Sequence, residues 1–433
     1  MAKVIVASTP LHGHVTPMLA VAQGLVRRGH EVRFLTSTRY ADRVRATGAA
    51  FVPLPGQADY DDRALDVQFP GRAAAQGPGR LIFDITNLFG DAIPDQFSAL
   101  QSLLAEFPAS TVISDLLFFG SLPLSMGTPR RDRPTTVTMG ISPVPVDSVD
   151  TAPFGFGVPP LPGAEGRARN EAMYAQAREV FADAEGHVGK VLAGLGVTLT
   201  RSLFSESAAA ADHFLQLTVP GFEYPRSDAP ASLRFVGVLP SEPGTDAELP
   251  EWWDDLVRRN GPVVTVTQGT VDNADFSPLL LPTLRALADL DVTVVAATAR
   301  PGGPEAVRAA LGELPANVLL GGYIPFDRLL PLSDVLVTNG GYGGVHTALR
   351  HGVPLVVAGT TEDKPEVAAR VEWAGAGVNL RTDAPDEETL RTAVGAVLNE
   401  PNFRGQARAL QAEMARYDPI AGIAEVVEQS EQG

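Results

Sequence analysis

The sequence predicts an α/β protein of two doubly wound parallel-sheet domains facing each other across a cleft, and three observations carry this. Short β-branched apolar runs alternate with amphipathic helical stretches, which is the pattern of βαβ units. That alternation is found before residue 239 and starts afresh after residue 262. Between the two lies PSEPGTDAELP, residues 240–250, whose proline, glycine and acidic residues mark a linker. The expected units are therefore 1–239 and a second one from 251 onward. A chain of 433 residues is also too long for one core at roughly 150 residues per domain.

The elements follow in order. Residues 3–9, KVIVAST, form a continuously apolar strand suited to burial on both faces. Thr16 as N-cap and Pro17 at the first helical position would start a helix with the stripe Leu19, Val21, Ala22, Leu25 and Val26, closed by Gly29. Residues 31–37, 111–114 and 135–139 read as the next strands. In the second half, strands are expected at 263–267, 292–297, 318–320, 335–338 and 355–358, with helices at 277–290 and 365–374 among the connections.

Composition narrows the function. A formal charge of -17 disfavours nucleic acid and anionic membrane surfaces, so a small neutral partner fits better. With no cysteine there is no disulfide framework, thiolate nucleophile or cysteine metal site. No apolar run is long enough for a membrane span, and a cytoplasmic protein is expected.

Two of the seven histidines fall in PLHGHVTP, residues 10–17, where the first strand turns into the first helix. In an open parallel sheet ligands bind beyond the carboxyl ends of the strands, so position favours a function for His14. The positive end of a helix disfavours imidazolium and keeps the ring able to accept a proton, as a general base must. Such a base needs an acceptor on its other nitrogen, and Asp115, directly after TVIS, is the candidate, against the alternative that it only caps a helix. His12 with His14 as a metal pair lacks a third ligand, so no metal is expected. Sixteen of the 19 phenylalanines precede residue 239, several in loop-like stretches. Leu11, Phe83, Phe89, Phe118, Phe119, Phe154 and Phe156 are the candidates to wall an apolar pocket, the alternative being that each packs beneath its own loop.

Serine-hydrolase, phosphate-loop and dinucleotide fingerprints are missing. The second half instead offers three loops at one sheet edge. NGGYGGVHTAL, residues 339–349, places Gly340, Gly341, Gly343, Gly344 and Val345 at a helix N-terminus, where amides can approach phosphate. Gln268, Gly269 and Thr270 follow another strand, and TTEDKPE, residues 360–366, sets Asp363 beside Lys364, where a carboxylate can grip vicinal hydroxyls. Each loop alone is explained as a turn; together they suit a ligand carrying phosphates and hydroxyls. The pair Asp289 and Asp291 lies at the opposite, amino edge and reads as a solvated turn.

GHVTP from Gly13, Asp115 after its strand, GYIPFDRLLP at 322–331 and the run VTNGGYGGVHTALRHGVPLVVAGTTEDKPEVAARVEWAGAGVNL at 337–380 together resemble one family. It is the nucleotide-sugar-dependent glycosyltransferases of small lipophilic molecules, the plant secondary-metabolite and bacterial macrolide type. The resemblance implies two Rossmann-like domains of GT-B type, the first binding acceptor and the second, 251–416, binding donor, with the terminal segment, 417–433, crossing back onto the first. It implies metal-independent inversion without a resident cofactor, His14 as base and Asp115 orienting it. It further implies that Ile324 meets the nucleotide base through its backbone, that Asn339 and 341–344 face the diphosphate opposite Thr270, and that Asp363 and Lys364 lie beside the sugar. Three positions depart from the family pattern: Asn339 for histidine, Thr347 for a ribose-gripping glutamate, and Lys364 for glutamine. Thr347 leaves a TDP-linked donor open beside a UDP-linked one. The rival readings are a non-catalytic nucleotide-sugar-binding auxiliary protein, a nucleotide-sugar epimerase of the same fold and an NAD-dependent oxidoreductase.

Overall fold

The computed structural model describes residues 1–240, 248–270 and 273–432. Its first sheet has seven parallel strands in the order β3-β2-β1-β4-β5-β6-β7: β1 Lys3–Ala7, β2 Glu31–Thr36, β3 Ala50–Pro53, β4 Thr111–Asp115, β5 Thr135–Gly140, β6 His213–Gln216 and β7 Leu233–Phe235. The second has six, in the order β10-β9-β8-β11-β12-β13: β8 Val263–Thr267, β9 Thr293–Ala297, β10 Val318–Gly321, β11 Val335–Thr338, β12 Leu355–Val357 and β13 Gly377–Asn379. Alternation along β1 shows why such runs become central strands. Val4 and Val6 enter one core with Val15, Met18 and Leu25, while Ile5 and Ala7 enter another with Leu35, Val112 and Phe118. Both faces are covered, so both parities must be apolar. Strands β3, β7 and β13 stand at sheet edges, and with β6 they are short and more polar. Sequence patterning did not anticipate these four: the three edge strands bury less and carry less of the apolar signal, and β6, though buried, is only four residues long with polar His213 and Gln216 at its ends.

The first helix runs from His12 to Arg27 and starts earlier than Thr16. The Leu11 carbonyl already accepts the His14 and Val15 amides at 2.9 and 2.8 Å, so the helix nucleates directly out of the turn without a side-chain cap. Pro17 consequently lies inside the helix, and His14 sits within its first turn. The helix expected at 277–290 is shorter, Leu280–Ala286, because Asp275 holds Ser277 in a turn and Gln268 Oε1 accepts the Leu280 amide.

The terminal helix Pro419–Gln432 lies against the first lobe, where Ile423, Ala424, Val426 and Val427 join the core beside Val15 and Leu25. Contact with the first helix is close enough that a Cβ on Gly24 would come within 2.6 Å of Ile420 Cγ2. Gly24→Val should therefore cost about 1–3 kcal/mol by overpacking. A melting temperature equal to that of the parent protein would show that the two helices do not pack this way in solution.

Buried polar contacts join the lobes. Gln216 Nε2 donates to Tyr342 Oη at 2.8 Å, Thr218 Oγ1 lies 2.6 Å from His346 Nε2, and Arg370 Nε donates to Glu223 Oε2 at 3.0 Å. Burial pushes the His346 imidazole down to about 4. Its Nδ1–H donates to the Tyr342 carbonyl at 2.8 Å, which leaves Nε2 to accept from Thr218. Among the described residues no helix is long and apolar enough to cross a membrane.

Candidate active site

Strands β1 and β4 are neighbours, and the order of the first sheet reverses between them. Connections leaving such a pair go to opposite faces and open a crevice at their carboxyl ends. His14 and Asp115 meet there, with Nδ1 2.8 Å from Oδ1. The same carboxylate accepts the Thr9 amide on Oδ2 at 2.6 Å and the Leu117 amide on Oδ1 at 2.8 Å. With no exposed surface and three donors converging on it, the Asp115 side chain cannot turn away. An acceptor at Nδ1 fixes the neutral ring as the Nδ1–H tautomer and leaves Nε2 with a free lone pair. The His14 side chain is 18 % exposed, on the crevice side of this buried pair. The His12 amide donates to Asp62 Oδ2 at 2.7 Å, and no group of three potential metal ligands occurs among the described residues.

The aromatic candidates divide. Phe89, Phe119, Phe204 and Phe154 form a chain of ring contacts at 6.3, 6.0 and 6.0 Å, and Leu11 packs on the same cluster. Phe119 is fully buried and backs the cluster from behind. Phe118, next to it in sequence, lies under the opposite face of the sheet with Ile5 and Val112, so its place is in the core. Phe83 is half-buried against Gly71, and Phe156 is half-buried in the loop after Phe154. Phe204 was missed because it lies in a helix, Leu203–Ala209, whereas the candidates were drawn from loops. A polar cavity of about 590 Å³ opens beside this cluster, lined by His12, Arg39, Tyr40, Arg43, Asp59 and Asp61. Its charged walls do not suit an apolar ligand.

The second lobe repeats the geometry at β8 and β11, where its own strand order reverses. Asn339 Nδ2 donates to the Gln268 carbonyl at 2.7 Å and ties the two loops together, so one of its amide hydrogens is not available to a ligand. Gly340 has φ 88° and a Cβ there would come within 2.6 Å of Val357 Cγ1, so only glycine fits. Gly341, Gly343 and Gly344 have open space where a Cβ would stand, leaving the N-terminus of helix Tyr342–Arg350 accessible. Val345 is buried and its amide bonds the Gly341 carbonyl at 3.0 Å, so it belongs to the helix rather than the open face. Gln268 turns its side chain inward to the Asp275 carbonyl, Gly269 takes φ 74°, and Thr270 is exposed. Ile324 is buried with Trp253 and Val295.

Asp363 and Lys364 start the helix Lys364–Trp373 after β12. Lys364 Nζ donates to Thr361 Oγ1 at 3.0 Å and to Glu362 Oε2 at 2.9 Å. Asp363 keeps part of its surface in solvent, yet desolvation by the surrounding protein pushes its carboxyl up to about 6. Glu362 adds to this shift, while Lys364 and His14 oppose it, so His14 lies within electrostatic reach across the cleft. A carboxyl raised above its unfolded value binds more protons folded than unfolded, so its penalty is full above pH 6 and fades below. Asp363→Asn should raise the melting temperature at pH 8 and raise it less at pH 5; an equal gain at both would remove the desolvation argument.

Known proteins match this arrangement from end to end. Residues 12–110 match the glycosyltransferase family 28 N-terminal domain, and residues 282–432 the erythromycin biosynthesis protein CIII-like C-terminal domain. A UDP-glycosyltransferase 2 of Phaeomoniella chlamydospora is 39 % identical over 436 residues, covering 98 % of this chain and 95 % of that one. The 4'-demethylrebeccamycin synthase of Lentzea aerocolonigenes is 42 % identical over 431 residues and 99 % of each chain. This chain belongs to the nucleotide-sugar-dependent natural-product glycosyltransferases. The glycosyltransferase also shares its GT-B fold with solved relatives. One of them, the glycosyltransferase VinC in complex with DTDP, superposes with a TM-score of 0.68 at 21 % identity, covering 100 % of both chains.

Proposed function

We propose that this glycosyltransferase moves a hexose from a UDP- or TDP-linked donor to a hydroxyl of a small lipophilic acceptor such as a macrolide, polyketide or polyphenol, inverting the anomeric centre without a metal. The observation that carries the reading is the His14–Asp115 pair at 2.8 Å, locked by two backbone amides and within electrostatic reach of Asp363 on the other lobe. His14 Nε2 takes the acceptor proton as the acceptor oxygen attacks C1, and Asp115 stabilises the imidazolium that forms. The bond to the nucleotide diphosphate breaks on the opposite face, and the leaving group takes the electron pair. Its growing charge is met by the open N-terminus of helix Tyr342–Arg350.

Asp363 and Lys364 would hold the sugar, with Ile324 at the nucleotide base. Leu11, Phe89, Phe154, Phe156 and Phe204 would line the acceptor site, Phe119 supporting them. Thr347 supports tolerance of a deoxyribose donor: its Oγ1 donates to the Gly343 carbonyl at 2.8 Å, so it is engaged within its own helix. Incubation with a panel of UDP- and TDP-sugars and aromatic or macrocyclic alcohols, read by mass spectrometry, should give a mass gain of one sugar, with the opposite anomeric configuration by NMR. Retained configuration would refute the direct displacement. Donor converted without any acceptor would mark an epimerase instead.

A further inference from the structure

Residues 153–160, PFGFGVPP, follow β5 in the acceptor lobe, form no helix or strand, and carry Phe154 and Phe156. Their backbone is gripped by the other lobe. Glu366 Oε1 accepts the Gly155 amide at 3.0 Å and the Gly157 amide at 2.7 Å. Two donors converge on one oxygen because both glycines take positive φ, 99° and 59°, which side-chain-bearing residues rarely adopt. Contact is close as well: a Cβ on Gly157 would lie 2.9 Å from the Pro365 carbonyl oxygen.

Glu366 belongs to helix Lys364–Trp373, which starts beside Asp363. Its second oxygen accepts from Arg370 Nη1 at 2.7 Å, and Arg370 Nε donates to Glu223 Oε2 at 3.0 Å. Glu223 Oε1 in turn accepts the Val144 amide at 2.9 Å, at the root of the same loop. Glu366, Arg370 and Glu223 are all buried. A buried charge on a packed helix is costly unless every partner is in place, and here the partners reach both ends of the acceptor loop. The sugar-side helix and the acceptor loop are thus mechanically one piece.

We infer that Glu366 is a positioning residue that sets the acceptor loop from the donor lobe, so that the acceptor surface around Phe154 takes its shape from the state of the donor site. The inference rests on the acceptor and donor assignments proposed above. The Glu366 carboxylate is taken up by the loop amides and Arg370, so its loss acts on acceptor recognition and leaves nucleotide affinity alone.

Glu366→Gln is the direct test. Glutamine keeps the volume but has one acceptor end, and either orientation sets its NH2 against the loop amides or against Arg370. Hydrogen exchange of the peptide covering 153–160 should accelerate. KM for an acceptor productive in the sugar panel should rise about tenfold or more, with kcat and the Kd for UDP or TDP changing less than about threefold. Glu366→Asp, which keeps the Arg370 charge pair but draws the carboxylate back from the loop, should behave likewise. The unmodified protein supplies an arm that needs no variant: UDP or TDP should slow exchange at 153–160. Unchanged exchange or acceptor KM in the variants, a nucleotide Kd weakened as much as the acceptor KM, or nucleotide without effect on the loop overturns the inference. Failure of the site reading itself would show differently, as full activity of a His14→Ala protein whatever Glu366 does.

Discussion

His14→Ala should lower kcat by about 10²–10⁴, the range that base assistance supplies, while the Kd for UDP or TDP changes by less than about threefold. The reason is geometric. His14 stands on the first lobe, 18 % exposed, and the loops proposed to hold the nucleotide stand on the second, so in the proposed mechanism the ring takes the proton without holding the donor. The loss corresponds to roughly 3–5 kcal/mol of transition-state stabilisation, larger than that expected for any substitution in the aromatic cluster. Single-turnover rates and nucleotide titration by calorimetry separate the two quantities. Activity equal to that of the unsubstituted enzyme would remove His14 from the mechanism, and a parallel loss of nucleotide affinity would recast it as a donor contact.

Asp115→Asn should be nearly as severe in rate and should also cost stability. Asp115 accepts from Thr9, Leu117 and His14, three donors on two oxygens. An asparagine turns one oxygen into an NH2, so one donor must face another donor inside a fully buried site. If the amide points at His14, the ring turns to its other tautomer, Nε2 carries the hydrogen, and the base is lost; kcat then falls by about 10²–10⁴. In that orientation the Leu117 amide, which shares Oδ1 with His14, is left unsatisfied too, and in the other the Thr9 amide is; either way a buried backbone donor goes unpaired at a cost of about 1–3 kcal/mol, visible as a lower melting temperature. A variant with normal rate and normal melting temperature would mean that the carboxylate contributes nothing beyond filling space.

The strongest local signals carried most of the fold. The β1 run, the glycines after β11 and the proline- and acid-rich 240–250 stretch announce two α/β units, although residues 241–247 of that stretch lie outside the described residues. What local pattern could not tell is which side of the sheet a residue takes. Phe118 and Phe119 are adjacent, yet one enters the core with Ile5 and the other backs the aromatic cluster. Phe204 entered the ring chain from a helix, and Val345 left the open loop for the interior. Asn339 spends one amide hydrogen on Gln268, a partner 71 residues away.

By itself, then, the sequence determined the two-lobed parallel-sheet architecture and put His14, Asp115 and the glycine-rich 339–344 loop at the carboxyl ends of their strands as candidates, because strand periodicity and turn chemistry are written in neighbouring residues. The tertiary structure alone decided which aromatics touch, that His14 and Asp363 come within electrostatic reach of each other, and that Glu366 reaches over to Gly155 and Gly157. Those relations join residues about 30 to 350 positions apart. They depend on how two separately specified sheets dock, through buried polar contacts that no periodicity records.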